Sequence, residues 1–238
     1  MPHRMAVPLC LAIAFAAAAE AQMISPMLYE GPRISLQDHA GRATRHRPEN
    51  APAAPDSRTS PSVDPRSFRY QPDRARREAN LARFVAKSRA ADPQGAASLE
   101  RLFAQGDIIE RMRPELARHG LSVDDLADSY TVWWINAWQA SRGLGGDASP
   151  AATASVRRQV MQSMASTPGF VDAGDATKQS MAESLLVQSL LLAAAVEQAR
   201  GKPAEMAAVR NAAVRGARAM GLDLTAMTLT DRGFVPIR

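Results

Sequence analysis

All three tryptophans of the chain fall within six consecutive positions, as Trp133, Trp134 and Trp138. They lie in a stretch, residues 122–142, that reads as one helix. At about 100° per residue, Val123, Leu126, Ala127, Tyr130, Trp133, Trp134, Ala137 and Trp138 share one broad stripe. Ser122 is placed as an N-cap with Asp125 three positions on, and Asp124, Asp125 and Asp128 sit where the positive end of the helix dipole favours carboxylates. Val132 and Ile135 point away from the stripe, so the second half is apolar nearly all round. Three indoles and a phenol, each burying roughly 150–250 Å², demand a large core.

A second run answers that demand. Residues 185–196 (Leu-Leu-Val-Gln-Ser-Leu-Leu-Leu-Ala-Ala-Ala-Val) are apolar around most of a helical circumference. Twelve residues that include Gln188 and Ser189 are too short and too polar for a membrane span, which needs about 20. The run is expected to be a core helix paired with the tryptophan helix.

Other helices are bounded by punctuation. Pro72 is expected to open the first, with Leu81, Phe84, Val85 and Ser88 on its apolar side, and Asp92-Pro93 ends it. A helix over 94–105 follows, then a segment over 108–118 that Pro114 should kink. His119-Gly120 closes that segment, and Gly143 to Gly146 form a loop. Ser149-Pro150, Asp175 or Thr177, and Pro203 start three more helices. After Thr167-Pro168-Gly169, Phe170 and Val171 are expected to fold back on the core. The end, from Leu222, is read as a helical turn and an extended tail packing through Met227, Leu229 and Phe234. The predicted fold class is all-α: one multi-helix, bundle-like domain of six to seven helices over residues 70–238, with an irregular C-terminal tail.

The residues ahead of it read differently. Residues 1–4 carry positive charge, residues 5–19 are almost wholly apolar, and Ala19-Glu20-Ala21 is a small-x-small site, the layout of a signal peptide over 1–21. Export, to the periplasm or beyond, follows as an expectation, with no transmembrane span after cleavage. Cleavage removes Cys10, the one cysteine, and with it any disulfide or thiol nucleophile. Residues 22–69 are rich in Pro, Ala, Ser and Arg and are expected to be a disordered linker. Met27-Leu28-Tyr29 and Phe68-Arg69-Tyr70 are its apolar patches, able to dock on the domain or on a partner.

Charge is uneven along the chain. Basic exceeds acidic by seven to five over 22–69 and by six to three over 70–92, and the two balance at fifteen each from residue 93 onward. A basic tether favours an anionic envelope component or an unknown protein as partner. Nucleic acid is not expected, because the basic residues have no aromatic interleaving.

From about residue 69 to 235 the chain resembles an uncharacterised family of exported bacterial proteins of unknown function. The likeness is carried by Gly120-Leu121-Ser122, Asp128 through Trp138, Val156-Arg157-Arg158-Gln159-Val160, Lys178-Gln179, Ala182-Glu183, Leu185-Leu186, Gly221-Leu222-Asp223-Leu224, Leu229-Thr230 and Gly233-Phe234. The resemblance implies export and a helical domain. It brings no activity, ligand or catalytic residue.

Familiar chemistries find little support. Of the four histidines only His119 adjoins the domain, read as a helix-end cap, and no zinc ligand set or cofactor motif is visible at sequence spacing. Gly143 to Gly146 lack the Lys-Ser/Thr that a phosphate loop requires. Asp124 and Asp128, read as sharing one helix face, and Glu183 are the candidate catalytic carboxylates, which in a cleft would suit glycoside hydrolysis. Tyr130, Trp133, Trp134 and Trp138 are the candidate binding residues, a stacking platform for sugar if exposed. Asn136 and Gln188 are expected to pair across helices if buried. The reading that results is a non-enzymatic exported interaction module on a basic tether. Its alternatives are a small envelope hydrolase and a self-associating helical protein.

Overall fold

A computed structural model describes residues 64–167 and 169–237. Residues 1–63, which hold the expected signal peptide of 1–21 and most of the expected linker of 22–69, lie outside the described residues. Seven α-helices are present among the described residues: α1 (Arg74–Ala91), α2 (Pro93–Ala104), α3 (Ile108–Arg118), α4 (Leu126–Arg142), α5 (Pro150–Ala165), α6 (Asp175–Gln198) and α7 (Pro203–Ala219). A 3₁₀ turn, Pro65–Phe68, precedes them, and a second, Leu224–Ala226, leads into β1 (Met227–Thr230) and β2 (Gly233–Pro236). The fold is all-α with a small antiparallel hairpin at its end.

Local chemistry sets most of the helix starts. Asp73, Asp92, Asp107, Asp125 and Ser149 each accept a backbone N–H of the first turn of α1 to α5, and Pro93, Pro150 and Pro203 occupy first-turn positions where no N–H is needed. Two starts differ from the sequence reading. The first helix opens at Arg74 behind Asp73, not at Pro72. The tryptophan helix opens at Leu126 behind Asp125, not behind Ser122. The cause of the second shift is the segment just ahead of it. Arg69 and Asp125 form a β-bridge, Tyr70 N–H donates to Asp124 O, and the Tyr70 hydroxyl donates to Val123 O at 2.7 Å. These bonds hold 123–125 outside the helix, with Val123 and Asp124 in a turn, Asp125 extended and Val123 fully buried.

The described structure thus includes residues ahead of 70 that the sequence reading assigned to the linker. Phe68 is fully buried and Tyr70 nearly so, which places that apolar patch on the domain itself.

α4 runs through the middle. It packs on α5, α6 and α7, while α1 joins α2 to α6. Eleven of its seventeen residues are buried, because two cores meet there. The larger core holds Tyr130, Trp133, Trp134, Val156, Met164, Leu185 and Phe234. The smaller is built by α1, α2 and α3 with Val123, and half-buried Val132 packs against it. Ile135, read as facing away, lies in the larger core. α6 serves both, giving Met181, Ala182 and Leu185 to one and Leu186 and Val187 to the other. That explains its apolar circumference. At 24 residues it is longer than the run read from sequence and is apolar enough to cross a membrane by length and composition, yet 61% of that window is buried inside the fold. Phe170 folds back on the core as expected, whereas Val171 is exposed.

The C-terminal tail, read as a helical turn and an irregular extended tail, is a 3₁₀ turn followed by a hairpin, with Thr230 opposite Gly233 and Leu229 opposite Phe234. The Gln159 side chain on α5 grips it, donating to Phe234 O at 2.8 Å and accepting from Phe234 N–H at 2.9 Å. Ser149 and Ser155 add bonds to Asp231. Gly233 has φ +90°, and a Cβ there would lie 2.5 Å from Gln159 Oε1. Backbone strain of this kind costs about 1–3 kcal/mol, before the displaced glutamine is counted. Gly233→Ala is therefore expected to lower the denaturation midpoint clearly in urea titration, and an unchanged midpoint would show that the grip is slack.

Candidate functional site

Polar groups converge where α1, α3, α6 and the 119–125 loop meet. Arg77, on the inner face of α1, has a side chain only 6% exposed. Its guanidinium donates to Glu183 of α6 at 2.8 Å, and to Asp107 and Glu110 at the start of α3 at 2.7 Å each. Asp124 lies 3.8 Å away. Arg113 completes the ring with bonds to Glu110 and Asp124, all between 2.7 and 2.8 Å. Glu183 also accepts from Asn80 at 2.7 Å and from Gln179 at 2.9 Å.

The electrostatics follow from that geometry. Burial works against the Arg77 charge, but the bonds to Glu110, Glu183 and Asp107 outweigh it and raise its pKa. The Arg113 bond, then that of Arg77, holds the Glu110 carboxyl down at about 2. Burial, followed by the charges of Glu183 and Asp124, pushes the Tyr70 phenol up. Every carboxylate of this cluster is bonded to an arginine. The arrangement can lock three helices together. It leaves no free carboxylate to move a proton to or from a substrate.

A second buried cluster sits at the start of α4. Asp128 accepts from Arg157 of α5 and, through its other oxygen, from Ser122 N–H at 2.9 Å. Asp125 caps the helix and has its second oxygen 3.7 Å from Arg157. Burial raises both carboxyls, Asp125 to about 6, with the neighbouring Asp128 charge reinforcing burial at Asp125 and Arg157 opposing it at both. A carboxyl raised in the folded state holds a proton that the unfolded chain has already lost. Its contribution to stability is therefore present below about pH 4, the unfolded value, and lost as pH rises to about 6. Asparagine keeps the cap and removes that titration. Asp125→Asn is expected to gain on the wild type between those limits, by on the order of 1–3 kcal/mol. Urea titrations at several pH values check this, and a pH-independent difference would refute it.

The candidates read from sequence are distributed as follows. Asp124 lies before α4, not on a shared face with Asp128, because the helix starts later than read; the two pair with different arginines. Glu183 is 1% exposed in the Arg77 cluster. Tyr130, Trp133 and Trp134 are buried in the larger core, where Tyr130 meets Trp133 edge-on at 5.4 Å. Trp138 is half-buried, its indole N–H bonded to Met227 O and its ring under the Arg142 guanidinium. The tryptophan stripe is core, not a sugar platform. Among the described residues, half-buried Asn136 makes no side-chain hydrogen bond and the buried Gln188 amide nitrogen has no partner. Neither forms the interhelical bond expected of it. The amides that do fasten one element to another are Gln159, bonded to Phe234 of β2, and Gln179, bonded to Asp73 at the start of α1.

One grouping was invisible at sequence spacing. Glu115 in the last turn of α3 and His119, its C-cap, meet Asp147 from the α4–α5 loop, with ligand atoms all within 4.8 Å of one another. The fold brings together three residues that sequence spacing keeps apart.

No curated protein and no solved structure matches the chain. A family model does, the Family of unknown function (DUF6683), over residues 1–236. The match takes in the whole described fold, and the chain belongs to that family of unknown function.

Proposed function

We propose that the chain is an exported, non-enzymatic interaction module, a rigid helical domain on a basic tether that engages an anionic component of the cell envelope. One observation carries the reading against a hydrolase: Asp124, Asp128 and Glu183, the candidate catalytic carboxylates, are each bonded to an arginine inside the domain. A general acid or base needs an atom that faces substrate, and these carboxylates face Arg77, Arg113 and Arg157. Positive charge, by contrast, reaches solvent. Arg210, Arg215 and Arg218 line the exposed side of α7, and residues 22–69 hold seven basic against five acidic residues. Such surplus charge attracts anionic surfaces and is screened by salt.

The test is co-sedimentation of the chain from residue 22 onward with anionic phospholipid vesicles and, separately, with a purified anionic wall polymer, at low and high salt. Binding that weakens with salt, and falls further when Arg33, Arg42, Arg45 and Arg47 are changed to Gln, is the expected result. Absence of binding to both at low salt would defeat the proposal. So would hydrolysis of the wall polymer that Glu183→Gln abolishes while the chain stays folded.

A further inference from the structure

We propose that Glu115, His119 and Asp147 form a binding site for a divalent transition-metal ion of the zinc(II) class, tying the end of α3 to the α4–α5 loop. Glu115 lies in the last turn of α3 and His119, four residues on, is its C-cap, so the two side chains meet about one turn apart. Glu115 Oε1 lies 3.4 Å from His119 Nε2, and Asp147 Oδ1 lies 3.9 Å from that same nitrogen.

Two features of this geometry point to a cation. The first is stoichiometry of donors. A neutral imidazole offers one N–H at most, and here a single ring nitrogen faces two carboxylate oxygens. Glu115 divides its roles, giving Oε2 to Arg118 and turning Oε1 to the histidine. An ion between the three atoms would satisfy both carboxylates and the nitrogen lone pair together.

The second feature is spacing. Zinc bonds to imidazole nitrogen and carboxylate oxygen are about 2.0–2.1 Å, so the edge of a tetrahedron of such ligands is about 3.4 Å. The Glu115–His119 separation is that edge, 3.4 Å. The Asp147 separation of 3.9 Å closes by a rotamer adjustment, since that side chain is 77% exposed and sits beside Gly145 and Gly146. Calcium, at 2.3–2.6 Å with six to eight oxygens, fits neither the spacing nor the nitrogen.

Glu115 and His119 are each 26% exposed. Three protein ligands at a surface leave a fourth position for water or an outside group, as in open zinc sites. The site lies apart from the Arg77 cluster and does not depend on the interaction-module reading.

Equilibrium dialysis of the intact chain against zinc chloride alone, with bound metal measured by atomic absorption, tests the assignment. The wild type is expected to retain one zinc per chain more than His119→Gln, with Asp147→Asn weakened at least about tenfold in affinity. Cobalt(II) in place of zinc should give the visible absorption of a tetrahedral ion, absent from His119→Gln and weaker in Asp147→Asn at the same cobalt concentration. Asp147 is exposed and makes no core contact, so Asp147→Asn tests binding without risking the fold. Equal zinc retention by wild type and both variants, or no retention by the wild type at about 100 μM zinc (a free energy of about −5.5 kcal/mol), would overturn the proposal.

Discussion

Arg77→Ala is expected to destabilise the domain by about 3–5 kcal/mol, the range found when one partner of a buried ion pair is removed. The loss comes mainly from what is left behind. Glu183 is 1% exposed and would keep only Asn80 and Gln179 as donors, while Asp107 would lose its arginine altogether. Against a typical total of about 5–15 kcal/mol, that is a large fraction. Lysine would not replace it, because a single ammonium cannot reach partners on both α3 and α6 in the planar fork that Arg77 presents. The paired variant Arg77→Met with Glu183→Leu separates the causes. If the stranded charge is the main term, the double variant is more stable than Arg77→Ala, because well-packed apolar pairs often match the ion pairs they replace. Urea unfolding of the three proteins decides, and a double variant no better than the single would place the loss in packing instead.

How much of this was readable in the sequence depends on how far apart the partners lie along the chain. The α4–α6 pair was legible because each helix announces itself within about twenty residues, one by Trp133, Trp134 and Trp138 and the other by its unbroken apolar run. The helix start at Ser149-Pro150 was legible for the same reason, since cap and first turn are adjacent, whereas Asp92-Pro93, read as the end of one helix, also opens the next. The Arg77 cluster was not. Its bonds span 30, 33 and 106 positions, and no periodicity records which arginine on a basic helix turns inward. The start of α4 was misread because its determinant, Tyr70, is 53 positions from the backbone it holds at Val123. The hairpin was missed because its turn is Asp231-Arg232 rather than an Asn-Gly or Asp-Gly pair; Gly233, just beyond, was the available signal.

Gln159 and Gln179, which the sequence reading named only for the family likeness, show how the two ends of the described domain are fastened. Gln179 donates to Asp73 O at 2.7 Å and accepts from Asp73 N–H at 3.1 Å. Gln159 treats Phe234 in the same two-pronged way. Each side chain stands in for a strand neighbour, satisfying a backbone donor and acceptor at a residue where the chain is extended. One secures the entry to α1, the other the closing hairpin. Both are reached from helices packed on α4, so the tryptophan core fixes the two extremities it does not include in sequence.

The closing hairpin offers the other large effect. Trp134→Ala is expected to cost about 3–5 kcal/mol, as for other large aromatics removed from a core. Trp134 is fully buried and stacks on Phe234 with centroids 4.3 Å apart and planes 24° from parallel. Phe234→Ala should cost a similar amount, and the double variant less than the sum, with a coupling of about 0.5–1.5 kcal/mol for the stacked pair. Trp134→Phe should behave otherwise. The indole nitrogen of Trp134 is buried without a hydrogen-bond partner among the described residues, and such a group carries a penalty of about 1–3 kcal/mol. Phenylalanine gives up volume but sheds that donor, so its loss should be well below that of alanine. Urea denaturation followed by circular dichroism checks all four variants. If phenylalanine proved as damaging as alanine, the indole would have to hold its place through its N–H, and the packing account of the central helix would fail.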